Sequence, residues 1–337
     1  MIDFRSDTFT KPSQPMLEAM FSARVGDDVF GEDPTVNELE GLAASLFGME
    51  AGLFCPSGTM TNQIAIKCHT QPGDEVICDK LSHVYIYEGG GIAFNSGCQV
   101  KPIEGDRGRI KAEQLPDAIN PSDIHKPVSR LVSLENTANR GGGSCYSLED
   151  LLKIRDVCRQ NQLALHLDGA RIFNATVEQG QNPAEYGTIF DSISVCLSKG
   201  LGAPVGSVLL GRSSFIQKGR RVRKVFGGGM RQAGYLAAAG IYALQNNIPR
   251  LEKDHTHAKQ LAAALIKKPF TGEMMPVETN IIIFEVTGPY TAPSLAAAFQ
   301  KHNIRVMAIS PHQVRMVLHL DVTESMVEET RQVIAHL

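Results

Sequence analysis

The sequence has no excess of positive charge, no paired-cysteine motif and no long apolar run, and each absence closes a class of function. Its formal net charge is −3, whereas a nucleic-acid binder shows a basic face or stripe. The cysteines Cys55, Cys68, Cys78, Cys98, Cys145, Cys158 and Cys196 number seven and include no CxxC pair. That pattern argues against a structural zinc site or disulfide framework and fits reduced thiols in the cytoplasm. No stretch approaches the roughly 18 apolar residues that a membrane span needs. The opening Met1–Thr10 carries Asp3 and Asp7 and no apolar core, so it does not read as a signal peptide. Internal repeats, low-complexity segments and a GxxxxGK[ST] phosphate loop are also missing.

What is present is ordinary for a soluble globular chain. There are 337 residues, 43% apolar and 20% charged, enough to bury a large core and to form about two domains. Short apolar runs alternate with helical patterns. Strands are expected at Ala51–Cys55, Glu75–Cys78, Gln99–Ile103, Arg130–Leu134, Leu163–Leu167, Ser192–Leu197 and Ser207–Leu210. Asp33-Pro34 reads as a helix N-cap followed by proline at the first helical position, and Ser147 with Asp150 resembles a capping box. Strands alternating with helices predict an α/β fold with a large, mostly parallel sheet covered on both faces. Beyond residue 250 the texture changes to a smaller α+β pattern. The expected division is residues 1–250, including the N-terminal segment, and residues 251–337.

Three places could carry chemistry together. Lys199 follows a buried apolar strand, in Leu197-Ser198-Lys199-Gly200. An ammonium is costly there, and burial favours the neutral amine that can attack a carbonyl. Alone it would be a solvated loop lysine. Asp168 ends another strand, in His166-Leu167-Asp168-Gly169-Ala170-Arg171, at the edge where open α/β sheets place their sites. Alone it would be a helix cap. A lysine and a carboxylate at such ends suit pyridoxal 5'-phosphate (PLP), whose ring nitrogen needs an acidic partner. Ser57-Gly58-Thr59 lies in a strand-to-helix turn. Helix amides there form a phosphate cradle, although any such turn could carry this string. His83 is a lone histidine after a strand, able to stack on a ring or exchange protons.

Several strings then stand together in order. They are Asp3-Phe4-Arg5-Ser6-Asp7-Thr8, Gly26-Asp27-Asp28-Val29-Phe30-Gly31-Glu32-Asp33-Pro34, His166–Arg171, Leu197–Gly200 and Gly227-Gly228-Gly229-Met230-Arg231-Gln232. Over nearly the whole chain this resembles the L-threonine aldolase family. The resemblance implies the aspartate-aminotransferase-like fold of PLP enzymes and a homotetramer of two tight dimers with sites shared between chains. It implies that Lys199 carries PLP, that Asp168 meets the ring nitrogen with Arg171 alongside, and that His83 stacks on the ring. Ser57, Gly58 and Thr59 hold the phosphate, with Lys224 and Arg231 near it. By the same resemblance Ser6, Arg171 and Arg315 are expected to hold the substrate carboxylate, and His125 to reach the substrate hydroxyl. Glu135-Asn136-Thr137-Ala138-Asn139 departs from the family string by Ala138 in place of histidine.

With the resemblance, these residues imply a retro-aldol cleavage of L-threonine or L-allo-threonine to glycine and acetaldehyde. Arginines grip the carboxylate, and His83 or His125 takes the hydroxyl proton. A β-eliminating lyase, an aminotransferase or a non-enzymatic protein of this fold are the other readings. The expected partners are a small amino acid and further copies of the chain, with no nucleic acid, no membrane and no metal.

Overall fold

The computed structural model describes residues 1–337. Its strands are β1 (Ile2–Asp3), β2 (Ala51–Cys55), β3 (Glu75–Asp79), β4 (Gln99–Ile103), β5 (Ser129–Glu135), β6 (Ala164–Gly169), β7 (Ser192–Cys196), β8 (Ser207–Gly211), β9 (Thr271–Met274), β10 (Ile281–Val286), β11 (Ile304–Arg305), β12 (Met307–Ala308) and β13 (Gln313–Val317). Seven of them form one sheet in the order β2-β8-β7-β6-β5-β3-β4. The β3–β4, β3–β5, β5–β6 and β6–β7 pairs are parallel, whereas β8 is antiparallel to both β2 and β7. Only β8 runs against the rest, so six strands finish at one edge. Strands β3, β7 and β8 are buried along their whole length, as expected for a sheet with helices on both faces.

The seven strands of this sheet lie where the sequence pattern placed them, within about two residues at either end. The expected cap at Asp33 is present. Its Oδ1 accepts from the backbone N–H groups of Thr35 and Val36. Its Oδ2 accepts from Gly234 N–H at 2.8 Å. One fully buried carboxylate thus closes the start of helix Pro34–Leu46 and ties it to helix Gly234–Asn246. A side chain at Gly234 would collide, because a Cβ there would lie 2.4 Å from Asp33 Oδ1.

A second core forms around the four-stranded sheet β12-β13-β10-β9. Ile2 and Phe4, at the start of the chain, pack in this core rather than with the large sheet, because β1 pairs in parallel with β11. Helix Leu251–Leu265 serves both bodies: Leu251 belongs to the first core, and Ala258, Leu261 and Leu265 to the second. No helix is long and apolar enough to cross a membrane.

Replacing Asp33 with Ala removes both capping hydrogen bonds and leaves the Gly234 N–H without its partner. The expected cost is about 1–3 kcal/mol, read as a lower midpoint in denaturant or thermal unfolding. An unchanged midpoint would show that the link between the two helices carries no stability.

Candidate active site

The common edge of the large sheet collects the charged groups. Asp168 and Glu135 are opposite each other in the β5–β6 register. Asp168 is buried. Its Oδ1 accepts from Ala170 N–H and its Oδ2 from Asn62 Nδ2 at 2.9 Å, and it forms no ion pair with Lys or Arg. Lys199 lies just past β7, half-buried, and its charge acts on Asp7. The helix Gly58–His69 begins at the end of β2. Its cap is Ser57, whose hydroxyl accepts from Met60 N–H. Ser57 and Thr59 are exposed, and a Cβ at Gly58 would meet nothing within 4 Å. Free amides facing open space at a helix start are what an anion needs.

His83 sits among carboxylates. Its backbone N–H donates to Glu135 at 2.8 Å, and its Nδ1 is 3.0 Å from Glu88 Oε1. Burial works against a charged ring, but the Glu88 hydrogen bond, and then the Asp168 charge, raise His83 above the usual histidine range. Burial, reinforced by Asp168, pushes Glu135 up to about 7. His83, Glu88 and Asp168 converge closely enough to suggest a metal site. However, amide donors from Asn62 and Gln63 already point at the two carboxylates, which is the pattern of a hydrogen-bonded network.

The two arginines expected to hold a carboxylate differ. Arg171 Nε and Nη2 both donate to Asp7 at 2.7 Å in a fully buried pair. The Nε–Nη2 fork is filled by the protein's own Asp7, and Nη1 alone is left. Ser6 caps the turn at Asp7–Phe9 beside this pair. Arg315, on β13, reaches from the second sheet to the Asn139 side chain and the Arg5 carbonyl, and meets no carboxylate. It is 8% exposed, and its Nε has no hydrogen-bond partner. Burial, and next the like charge of Arg171, pull it down to about 10. A guanidinium this poorly compensated can take an anion from outside the chain.

His125 does not join this cluster. It is exposed, bonded only to Asp123, in the loop that precedes β5. The flanking contacts, Asn120 to Ser129 and Glu75 to Val128, put that loop at the starting edge of the strands. Asp168 is at the finishing edge, about 20 Å away along β5, so His125 cannot reach the site of its own chain. Lys224 and Arg231 bracket the Gly227–Gly229 loop. This loop packs on Met60, in the first turn of the cradle helix, and Arg231 pairs with Asp27 at 2.9 Å. Ala138 is buried against Gly108, where a Cβ would lie 2.8 Å from the alanine methyl.

Residues 3–288 match the beta-eliminating lyase family. The "Low specificity L-threonine aldolase" of Escherichia coli K12 is 45% identical over 337 residues, 100% of this chain and 98% of that protein. "Low-specificity L-threonine aldolase 1" of Arabidopsis thaliana is 41% identical, over 98% of this chain and 94% of the relative. The solved threonine aldolase of Leishmania major superposes with a TM-score of 0.88 at 20% identity, covering 100% and 99% of the two chains. The fold is thus that of the aspartate-aminotransferase-like PLP enzymes. The chain belongs to the beta-eliminating lyases and, among them, to the low-specificity L-threonine aldolase family.

Asp7 offers a test of the buried pair. Burial alone would raise it, but Arg171 and then Lys199 hold it at about 2, below the unfolded value of about 3.9. Its contribution to stability is therefore complete above about pH 4 and is lost as the pH falls toward about 2. Asp7→Asn is expected to cost about 3–5 kcal/mol at neutral pH, because Arg171 is left buried without an anion. Unfolding measured from pH 7 to pH 2 should show a shallower acid loss in the variant; an acid limb as steep as the parent's would refute the assignment.

Proposed function

We propose that the protein is a PLP-dependent aldolase that cleaves L-threonine, L-allo-threonine or both to glycine and acetaldehyde. The observation that carries this reading is a pair of buried ionisable groups, neither of which has an ion-pair partner of its own. Asp168 is a buried carboxylate with no Lys or Arg partner, and Arg315 is a buried guanidinium with no carboxylate. They do not pair with each other. A ligand with a protonated ring nitrogen and an amino-acid carboxylate satisfies both. The relatives named as threonine aldolases support the choice of substrate.

In this reading the amides after Ser57, with Gly58 and Thr59, hold the phosphate; Lys199 supplies the amine for covalent attachment; and Asp168 faces the ring nitrogen. When bound, PLP supplies the electron sink that allows a bond at Cα to part heterolytically. Arg315 grips the carboxylate, with Ser6 and Arg171 Nη1 close by, and so fixes which Cα bond is aligned for cleavage. His83 takes the β-hydroxyl proton. His125, with the exposed Ile124 beside it, completes the site of another copy rather than its own. The Lys224–Arg231 loop likewise serves a shared phosphate site. The active form is thus a homo-oligomer, which we take to be a tetramer. Seven unpaired, buried cysteines accord with action in the cytoplasm.

Borohydride treatment followed by peptide mass spectrometry is expected to find the cofactor on Lys199. Glycine and acetaldehyde should form in equal amounts, with acetaldehyde read by alcohol dehydrogenase and NADH. Arg315→Ala should reduce turnover at low substrate by about one to two decades, equivalent to a charged contact of about 1.5–3 kcal/mol, while the cofactor stays bound. Ammonia and a 2-oxo acid in place of glycine would instead mark a β-eliminating lyase.

Sharing between chains has its own test. Inactive Lys199→Ala and Arg231→Ala chains, mixed under conditions of demonstrated subunit exchange, should regain partial activity. No recovery would count against a shared site.

A further inference from the structure

Glu88 lies five residues after His83, its carboxylate wholly removed from solvent. Each of its oxygens accepts an amide hydrogen. Asn62 Nδ2 donates to Oε1 at 2.9 Å, and Gln63 Nε2 donates to Oε2 at 2.7 Å. The orientation of both amides is fixed from behind. Asn62 Oδ1 is 3.2 Å from His166 Nε2, and His166 Nδ1 is in turn 2.8 Å from Ser192 Oγ. Burial holds His166 well below the usual histidine range, at about 3, so it is neutral; with its hydrogen on Nε2 it donates to Asn62 Oδ1, and the two carboxylates on the other side of Asn62 call for the same orientation of that amide. Gln63 Oε1 accepts from Asn95. Gly91 also closes on the Gln63 amide, where a Cβ would lie 2.7 Å from Cδ. Both amides must therefore turn their N–H groups toward Glu88, and Asn62 spends its other hydrogen on Asp168.

This leaves Glu88 as an acceptor on every side, with His83 Nδ1 3.0 Å from Oε1. Two acceptors cannot face each other at that distance, so Nδ1 carries the hydrogen. His83 Nε2 makes no hydrogen bond to the protein, and the ring is the part of the cluster left about one-third exposed. We propose that Glu88 is a positioning residue that fixes His83 in the Nδ1–H tautomer and presents a bare Nε2 to the substrate hydroxyl. The arrangement follows the general logic of an acid that orients a histidine base. Asn62 couples this device to the carboxylate that meets the cofactor ring, because one amide bridges Glu88 and Asp168.

The proton inventory is simple. The β-hydroxyl O–H bond breaks and an Nε2–H bond forms. The O–H electron pair becomes the second bond of the aldehyde carbonyl. The Cα–Cβ pair stays with the glycine fragment, which takes up a proton in place of the lost carbon. The Tyr87 ring lies beside His83 with centroids 5.7 Å apart, and the charged groups that face His83 are Glu88, Asp168 at the end of β6 and Glu135 at the end of β5, all acidic. Together they favour the imidazolium, so the ring becomes a base only once the pH exceeds its raised value. Removing Glu88 moves that threshold down.

The use of this proton rests on the aldolase reading; the tautomer rests on geometry alone. Ring-¹⁵N-labelled full-length protein can be followed by solid-state NMR across pH, with His83 assigned by the signal lost in His83→Phe. The expected result is a protonated Nδ1 and a bare Nε2 at high pH, with a titration midpoint above that of an ordinary histidine. In Glu88→Gln the midpoint should fall by about one pH unit. The variant's kcat should drop about 10- to 100-fold, with little change in KM because Arg315 is intact, and the acid limb of kcat/KM should move to lower pH. An Nε2–H tautomer in the parent protein, or an unmoved midpoint in folded Glu88→Gln, would overturn the proposal. The parent tautomer needs no variant, so a Glu88→Gln chain that fails to fold does not remove the test. If neither L-isomer is cleaved while the NMR result holds, the aldolase reading fails and the tautomer assignment stands.

Discussion

Four carboxylates, Asp7, Glu88, Glu135 and Asp168, are buried around His83 and Arg171, and much of the structure near them exists to let them coexist. Unpaired, such a cluster would neutralise itself by taking up protons. Each is handled differently. Asp7 has the full fork of Arg171. Glu88 and Asp168 share Asn62, and Glu88 adds Gln63. Glu135 accepts from the backbone of His83 and Asn139, and burial with the Asp168 charge leaves it near the point of protonation. The cost of holding negative charge here also explains why His83 is drawn toward the cationic form.

The same constraint accounts for features that look odd in isolation. The helix Gly58–His69 buries Thr61, Asn62 and Gln63 in its central turns, where an ordinary core helix would carry aliphatic residues. These side chains face the carboxylates and the polar spine of the sheet, where Thr61 meets Ser194 and Ser207 and His166 meets Ser192. The N-terminal segment is anchored at two points. β1 adds to β11 of the small sheet, and Asp7 pairs with Arg171 next to the large one. Arg315 makes the reverse crossing, from β13 to Asn139. The site is therefore assembled at the seam between two cores, and neither core contains it alone.

Much of this was legible in the chain. The strand runs, the Asp33 cap, the Lys199 and Asp168 strand ends and the Ser57–Thr59 turn are local, and local propensity together with apolar period finds them. Glu88 was not legible as a site residue, because a glutamate five positions after a histidine in a Gly-rich turn reads as a solvated charge. Asp7 stood in a quoted string, but its pairing with Arg171 joins positions 164 residues apart. The resemblance to the threonine aldolases is what assigned Arg171 to the substrate carboxylate. Which carboxylate it takes depends on where the N-terminus folds back.

The sequence by itself determined the class: an α/β sheet whose strand ends carry a lysine and an aspartate, with strings in the order of one family. Those features are set by residue type and short-range spacing, which the chain displays directly. Tertiary structure alone decided which charges neutralise each other. It gave Arg171 to Asp7, left Arg315 without an anion, surrounded His83 with three carboxylates and carried His125 to the far edge of its own sheet. Ion pairing falls off within a few ångströms and is scaled by burial, and both quantities come into being only when distant segments pack together.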